Sequence, residues 1–260
     1  MNLAEKLNYH YKAFDKSQIS PDPLQFLHLY SDEKDIEVIG FIASVFAYGN
    51  VKQIINTLSK IVAASENYPY NFVKNFNSEI DAKKLTGIKH RFYSEKDIVD
   101  LFSLLNLTYN KFDSLKNLFL KFYYEKDINL KNSISKFSNH FLELEKRRIR
   151  SQTLSLGFKF MFPLPELGSA CKRMNLFLRW MIRKDELDFG IWNQIPPNKL
   201  VIPVDTHVAH ICRKLKLTRR KNISWKMAEE ITGNLKKYDP IDPVKYDFAI
   251  CHIGMRKLSF

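Results

Sequence analysis

The sequence predicts an all-α protein, and three observations lead to that prediction. Apolar residues recur at the spacing of a helix that buries one face through most of the chain. Strand-like alternation of apolar and polar residues is nearly absent. The 260 residues include only eight glycines, whereas an average protein has roughly 7% glycine and turn-rich β proteins depend on it.

Apolar stripes place the first helices. Residues 3–14, 36–47 and 54–62 each carry such a stripe, and the second is apolar almost all round. Ser94 and Asp97 have the spacing of a capping box, which predicts that a helix begins after Ser94 and continues through residue 109. Further helical runs are expected at about 113–124, 128–146, 169–183, 206–216, 224–237 and 243–254.

The segment Gly157–Glu166, which contains Pro163 and Pro165, reads as a junction between two parts of the chain. We therefore expect one compact unit of two lobes, an N-terminal helical lobe over residues 1–160 and a C-terminal lobe over 161–260. No glycine-rich loop of the kind that cradles a dinucleotide or a nucleotide triphosphate is present in the sequence.

The composition also bears on the compartment. The three cysteines, Cys171, Cys212 and Cys251, are too few and too widely spaced for a disulfide framework or a four-thiolate metal site. The N-terminus shows no basic region followed by an apolar run, and no stretch approaches the roughly 18 apolar residues of a membrane span. We expect a cytoplasmic protein with no membrane partner.

The charge is strongly basic and unevenly distributed. Forty-one Lys and Arg against 28 Asp and Glu give +13, and residues 151–260 alone carry 19 basic and 10 acidic residues. Such a surface attracts a polyanion, because each cation placed on a phosphate releases a counterion. Nucleic acid is the first candidate partner. A merely solvated basic surface is the alternative, and composition does not choose between them.

Two short segments carry candidate chemistry. Leu200–Val204 is an apolar extended run that delivers Asp205 to the start of a helix, where a carboxylate can cap the free amides. The run Gly168–Met174 forms a tight turn and opens an amphipathic helix with Lys172 in its first turn. Each has a plain structural interpretation, since Asp205 fits an N-cap and Lys172 fits a solvated surface lysine.

Together these segments resemble the core of the helix-hairpin-helix DNA glycosylases. In that superfamily a G-x-G-x-K hairpin precedes an apolar helix, and a V-D-x-H segment follows. Gly168, Ala170 and Lys172 fall on the hairpin pattern, with Ala170 in place of the second glycine, and Val204–His207 matches the second motif. The resemblance implies a two-lobed glycosylase-like fold with a degenerate helix-hairpin-helix.

The spacing and the end of the chain are similar to the archaeal 8-oxoguanine glycosylase branch. Lys172 and Asp205 are 33 positions apart (205 − 172). Asp247, Cys251 and Gly254 match that branch's Asp-x-x-x-Trp-x-x-Gly helix, with Cys251 replacing the stacking Trp. The chain as a whole, including the run at 46–50, looks like a bacterial family of unassigned function related to these enzymes.

The resemblance implies base-excision repair of an oxidised base, with Lys172 as nucleophile, β-elimination as a second activity, and Asp205 stabilising the cationic sugar. Asp247 is the candidate reader of the extruded base, and Tyr48 is its candidate stacking platform. The alternative for Asp247 is a structural role, in which a buried hydrogen bond fixes the neighbouring helix. The expected partner is double-stranded DNA with a damaged base, bound by a monomer without cofactor or metal. Candidate contacts to the DNA backbone are Gly168, Ala170, Arg173, Arg219, Arg220 and Lys221.

Two other hypotheses stay open. The degenerate hairpin and the missing Trp fit a non-catalytic DNA-binding protein that keeps the glycosylase fold, whereas the presence of both Lys172 and Asp205 opposes it. A second alternative is a metal site. It would draw on His207, His210 and Cys212 together with Cys251 and His252, although Cys212 projects from a different helix face.

Overall fold

The structure, a computed structural model that describes residues 1–258 and 260, is all-α and confirms the predicted class. In this part of the chain, β-type backbone pairing is confined to two isolated bridges, His90 with Tyr93 and Lys184 with Phe189. None of the helices in these residues has both the length and the apolar character needed to cross a membrane.

The chain divides into two units, each with its own core. We call Met1–Ile19, Lys126–Lys131 and Leu164–Phe260 the terminal unit, and Ser20–Glu125 with Asn132–Pro163 the central unit. The terminal unit holds both chain ends because α1 (Leu3–Ala13) packs against the last helix, α13 (Asp247–Arg256).

The terminal unit is built around tryptophans and a buried helix. Its other helices are α10 (Lys172–Ile182), α11 (Thr206–Lys214) and α12 (Trp225–Leu235), with 3₁₀ turns at Lys16–Gln18, Pro165–Leu167 and Pro197–Lys199. Trp180, Trp192 and Trp225 are fully buried. α10 begins three residues later than the apolar pattern predicts, because Gly168 and Cys171 adopt left-handed backbone conformations that no α-helix contains.

The central unit surrounds one almost fully buried helix. Its α-helices are α2 (Glu33–Phe46), α3 (Val51–Ala64), α4 (Pro69–Lys74), α5 (Ser78–Asp81), α6 (Glu95–Phe112), α7 (Leu115–Leu120), α8 (Lys131–Arg148) and α9 (Leu156–Met161). The first residue of α8, Lys131, is assigned to the terminal unit and the rest of that helix to the central unit. Two 3₁₀ turns lie at Pro23–Leu29 and Ala82–Leu85. Every α2 residue from Ile36 to Phe46 is buried. The predicted capping box of Ser94 and Asp97 opens α6 and is confirmed.

One carboxylate lies inside this apolar core. Glu37 of α2 accepts hydrogen bonds from the Tyr109 hydroxyl at 2.8 Å and from the backbone amides of Leu115 and Lys116 at 2.8 and 3.1 Å. These amides are the free donors at the N-terminus of α7, so the buried carboxylate of Glu37 has hydrogen-bond partners. Burial and the neighbouring Glu37 raise the pKa of Tyr109 well above its ordinary value.

Candidate active site

Asp205 lies at the junction between a buried extended segment and α11. The side chains of Leu200, Val201, Ile202 and Val204 are buried, which fixes where the chain ends its extended run. Asp205 is the N-cap of α11, and its Oδ1 accepts hydrogen bonds from the amides of His207 and Val208, both at 2.9 Å. The N-cap interpretation of Asp205 is therefore confirmed.

The other carboxylate oxygen of Asp205 meets Lys172. Its Oδ2 lies 2.8 Å from Nζ of Lys172, which projects from the first turn of α10. The side chains of Lys172 and Asp205 remain 30% and 19% exposed, respectively, so the pair can be reached from solvent. The structure thus brings together the two residues that the sequence singled out, and one carboxylate serves a helix cap and an ammonium at the same time.

The charge state of Asp205 follows from these contacts. Burial opposes its ionisation, but the Lys172 ammonium, its hydrogen bond and the Val208 amide outweigh burial and hold the pKa of Asp205 below its ordinary value. Asp205 is consequently a fixed anion near neutral pH. A fixed anion beside an amine can stabilise positive charge that develops on a third group placed near both.

The turn before α10 has unusual backbone geometry. Gly168 has φ +87° and Cys171 has φ +47°, so two left-handed residues bracket Ser169 and Ala170. The Gly168 carbonyl accepts from the amide of Trp225 at 3.0 Å, which ties the turn to α12. Ala170 is buried, and its carbonyl accepts from Nδ2 of Asn175 at 3.0 Å. A second glycine is not required at position 170, since its φ is not in the left-handed region.

Asp247 is the first residue of α13 and is only 2% exposed. Its Oδ2 lies 2.5 Å from Nη1 of Arg179, while its Oδ1 has no hydrogen-bond partner among the described residues. The pKa of Asp247 is raised to about 6, mainly by burial; the Asp205 carboxylate also raises it, whereas Arg179 lowers it. The charges of Lys172 and Asp205 therefore influence the pKa of Asp247, and its carboxylate forms an ion pair with the buried Arg179.

That arginine belongs to an ion network that sequence reasoning missed. Arg179 also pairs with Asp188 at 3.2 Å, and Arg183, one turn later, pairs with Asp188 and with Asp242. Both guanidinium groups are buried, and the arrangement fixes α10 to the segment after it and to the start of α13. Part of the signal was present in the sequence, because Arg179 lies within the apolar run Leu176–Ile182 and Arg183 follows directly after it.

Two further residues of the predicted pocket helix have structural contacts. Gly254 lies against the first turn of α11, where an added Cβ would approach Cβ of His207 to 3.0 Å and its carbonyl oxygen to 3.1 Å. Glycine therefore lets α13 pack closely on the helix that Asp205 caps. Cys251, at the position of the expected stacking Trp, is half-buried with its Sγ 3.7 Å from Sδ of Met255.

The candidate phosphate contacts differ in accessibility. Arg219, Arg220 and Lys221 are all exposed, but Arg220 also pairs with Glu230 at 2.8 Å. Arg173 is only 7% exposed, so little of its side chain is available to a DNA backbone. Arg213, which the sequence did not single out, donates to the carbonyls of Arg220 and Lys221 and thereby holds residues 219–221, the basic loop, in shape.

Tyr48 belongs to the central unit, where its hydroxyl bridges a tight turn. It donates to the carbonyl of His90 at 2.9 Å and accepts from the amide of Phe92 at 3.2 Å. The metal hypothesis gains no geometric support, because His207 and His210 are exposed while Cys212 is fully buried. Over residues 1–258 and 260, no three His, Cys, Asp or Glu side chains are arranged to hold a metal ion.

Comparison with known proteins adds one finding. Neither a search of curated proteins nor a search of solved structures found a match. A family model described as a protein of unknown function, DUF2400, matches residues 22–256, which include most of both units and every candidate site residue. Since this match covers nearly the whole chain, the protein belongs to the DUF2400 family.

Proposed function

We propose that this protein is a DNA glycosylase with β-elimination activity, built on a two-lobed helix-hairpin-helix-like fold. Its partner is double-stranded DNA with an oxidised base such as 8-oxoguanine, bound by a monomer. The observation that carries the proposal is the 2.8 Å contact between Lys172 Nζ and Asp205 Oδ2, two residues 33 positions apart (205 − 172) that fit the glycosylase motifs. Neither a solvated surface lysine nor a helix N-cap requires such a contact.

The proposed chemistry assigns each residue one step. The Lys172 ammonium first releases a proton to solvent. The neutral amine then attacks C1′ of the damaged nucleotide, the N-glycosidic bond breaks, and the bonding pair leaves with the base, which takes up a proton. Asp205 stabilises the positive charge that develops on the sugar as that bond breaks. Opening of the sugar ring leaves an imine between Lys172 and C1′.

The second activity follows from the imine. Loss of a proton from C2′ and departure of the 3′ phosphate nick the strand, after which water releases the lysine. Arg219 and Lys221 of the basic loop supply phosphate contacts that position the duplex without reading its sequence. The turn at Gly168, which is exposed, offers a close backbone approach to a phosphate.

A borohydride experiment tests the nucleophile. The protein is incubated with duplexes that carry 8-oxoguanine, uracil or an abasic site, and borohydride reduces any imine to a stable amine that appears as a protein–DNA adduct. We expect an adduct with at least the abasic duplex. Lys172→Gln should remove the adduct and leave duplex affinity within about twofold, because one of many cations is lost.

Lys172→Arg is the matched control, since it keeps a cation beside Asp205 but has no amine that forms an imine under these conditions. It should also give no adduct. A full adduct with Lys172→Gln would move the nucleophile to another amine and contradict the assignment. An adduct that persists only in proteins with Lys172 supports it.

Specific features also favour the second candidate, a non-catalytic DNA-binding protein. Cys251 replaces the stacking Trp, and Asp247 is engaged by Arg179 rather than presented to solvent. Under that candidate, duplex binding persists while no lesion gives excision or an adduct in wild-type protein. The same experiment therefore separates the two candidates.

A further inference from the structure

The central unit carries an exposed aromatic surface at a strained two-residue turn. The backbones of His90 and Tyr93 pair in both directions, at 3.1 and 2.8 Å, so Arg91 and Phe92 form the tip. Arg91 has φ +50°, a conformation that non-glycine residues seldom adopt. Such strain persists only where the surroundings impose it, and it is concentrated at functional positions.

The surroundings of this turn show what imposes it. The Tyr48 hydroxyl binds the carbonyl before the tip and the amide within it. Gly49 has φ +97°, and a Cβ there would lie 2.6 Å from Cδ of Arg91 and 2.7 Å from its Nη1, so glycine makes room for the Arg91 side chain. The sequence run at 46–50, which the proposed chemistry leaves unexplained, therefore builds the support of the turn.

Three rings and a guanidinium meet at this tip. Phe92 and Phe160 are 60% and 40% exposed, with ring centroids 5.4 Å apart, and Tyr48 stacks on Phe92 at 6.1 Å and 16°. The guanidinium of Arg91 lies 5.5 Å from the centroids of both Tyr48 and Phe92. Exposed aromatic rings cost free energy in water, and a cation held beside them adds a charge that an apolar protein partner would have to desolvate.

The charges around the rings favour an anionic occupant. Lys89, Arg91 and Lys159 are exposed on the two segments that carry Phe92 and Phe160. The two carboxylates on those segments serve the fold: Glu95 accepts from the amide of Gly87 at 2.8 Å, and buried Asp97 accepts from Ser94 and Ser155. A flat ligand with a phosphate beside it matches this combination of exposed rings and cations.

We propose that the Arg91–Phe92 turn, with Tyr48 and Phe160, is a stacking site for an unpaired base of single-stranded nucleic acid. The site goes beyond the proposed glycosylase reaction, because it needs neither Lys172 nor a damaged base. Phe92 and Phe160 supply the stacking faces, and Arg91 and Lys159 hold the adjoining phosphates. Readout by stacking alone tolerates any base, so little sequence preference is expected.

Two fluorescent oligomers isolate the stacking contribution. One is an oligothymidylate of about ten residues, and the other has the same sugar–phosphate backbone with no bases. Full-length wild-type protein should bind the oligothymidylate more tightly by roughly fivefold or more, measured by anisotropy at fixed salt, since one stacked base is worth about 1–3 kcal/mol. Electrostatic binding elsewhere on the protein contributes equally to both oligomers and cancels.

Variants locate the site. Phe92→Ala and Phe160→Ala should each remove most of this preference and leave affinity for the baseless oligomer unchanged, whereas Phe92→Trp should keep the preference. Arg91→Ala should weaken the binding of both oligomers. Tyr124→Ala removes another exposed ring of the central unit, 55% exposed, and should change neither. Circular dichroism and a thermal melt confirm that each variant is folded.

Three results would overturn the proposal. Wild-type protein could bind the two oligomers equally, or Phe92→Ala could keep the full preference. Wild-type protein could also elute as a dimer that Phe92→Ala converts to a monomer, which would assign the surface to self-association. Because the readout is binding to undamaged single strands, failure of borohydride trapping leaves this test intact.

Discussion

At the scale of single residues, Asp205 divides its two oxygens between different tasks. Oδ1 caps α11 and Oδ2 faces the Lys172 ammonium at 2.8 Å. The cap is local, so the sequence around residue 205 was enough to predict it. The meeting with Lys172 depends on how α10 and α11 pack, which no local pattern specifies, and only the resemblance to glycosylase motifs pointed to it.

Asp205→Asn separates the two tasks. Asn keeps an acceptor oxygen for the first-turn amides and caps nearly as well, so only the ion pair is lost, at about 1 kcal/mol for a partly exposed pair. We expect a melting temperature within a few degrees of wild type. Excision should fall by on the order of 10²-fold or more, because the charge that stabilises the sugar cation is gone.

A thermal melt and single-turnover excision on the same preparation give both quantities, once a screen of lesions has supplied a substrate. Asp205→Ala is the companion variant, since it loses the cap as well and should melt lower still. Full excision by a normally folded Asp205→Asn protein would leave Asp205 as a cap alone.

Asp247 gives a prediction about pH. Its pKa is raised by burial to about 6, above the ordinary value of 3.8, so the folded state favours the protonated carboxyl. The associated stability is fully present below the unfolded value and is lost as pH rises through about 6. Wild-type protein should therefore lose stability relative to Asp247→Asn between about pH 4 and pH 7.

Chemical denaturation of both proteins across this pH range measures the difference between their free energies of unfolding. The test is how that difference changes with pH and not its absolute size, because Asn also alters the contact with Arg179. Asp205 has the opposite sign: its pKa is lowered, so its contribution is present above the unfolded value and is lost as pH falls. If the free energy of unfolding of wild type minus that of the variant stayed flat or rose with pH, Asp247 would be ionised throughout, as a simple partner of Arg179.

At the scale of elements, the start of α10 shows where sequence patterns stop being informative. The apolar period predicted a helix from about residue 169, but the chain turns through left-handed conformations at Gly168 and Cys171 before α10 begins. Gly168 fits that geometry without strain, whereas Cys171 adopts it although it carries a side chain. A single non-glycine left-handed residue is imposed by tertiary packing, so periodicity could not reveal it.

Two glycine-to-alanine changes test this geometry with opposite expected signs. No atom lies within 4 Å of a Cβ added at Gly168 or Gly233, so steric clash does not enter at either site. Gly168→Ala should destabilise by roughly 1–2 kcal/mol, because φ +87° is strained for alanine. Gly233→Ala, on the exposed face of α12, should stabilise by about 0.5–1 kcal/mol.

Urea denaturation of the two variants beside wild type measures both changes. If Gly168→Ala were neutral or stabilising, the turn before α10 would not hold its left-handed conformation in solution. Gly233→Ala guards against a general effect of adding a methyl group, since the same substitution in a regular helix carries the other sign.

At the scale of the whole molecule, the all-α class and most helices followed from periodicity, but the grouping of helices did not. α1 and α13 stand at opposite ends of the sequence and pack in one unit, with the rings of Phe14 and His252 6.1 Å apart. Pairing of apolar faces across such separations is decided by shape, which a single sequence does not report. The two arginines of the buried ion network can be noticed in the sequence, but their partners cannot be assigned from it, since Asp247 is 68 positions from Arg179.

The net charge of +13 is also a property of the whole chain, and it predicts duplex affinity that falls steeply with salt for any DNA sequence. The basic loop allows a residue-level test. Arg219, Arg220 and Lys221 are all exposed, but Arg220 is already paired with Glu230. Replacing Arg219 and Lys221 together with Gln should make the slope of log affinity against log salt shallower by roughly 0.9 for each phosphate that the loop no longer neutralises.

The matched control replaces Lys60 and Lys83, two exposed lysines of the central unit, and removes the same charge. Anisotropy titrations at several salt concentrations should show a shallower slope for the loop variant and an unchanged slope for the control. Equal slopes in the two double variants would mean that charge acts without a defined surface, and salt-insensitive binding would contradict a nucleic-acid function altogether.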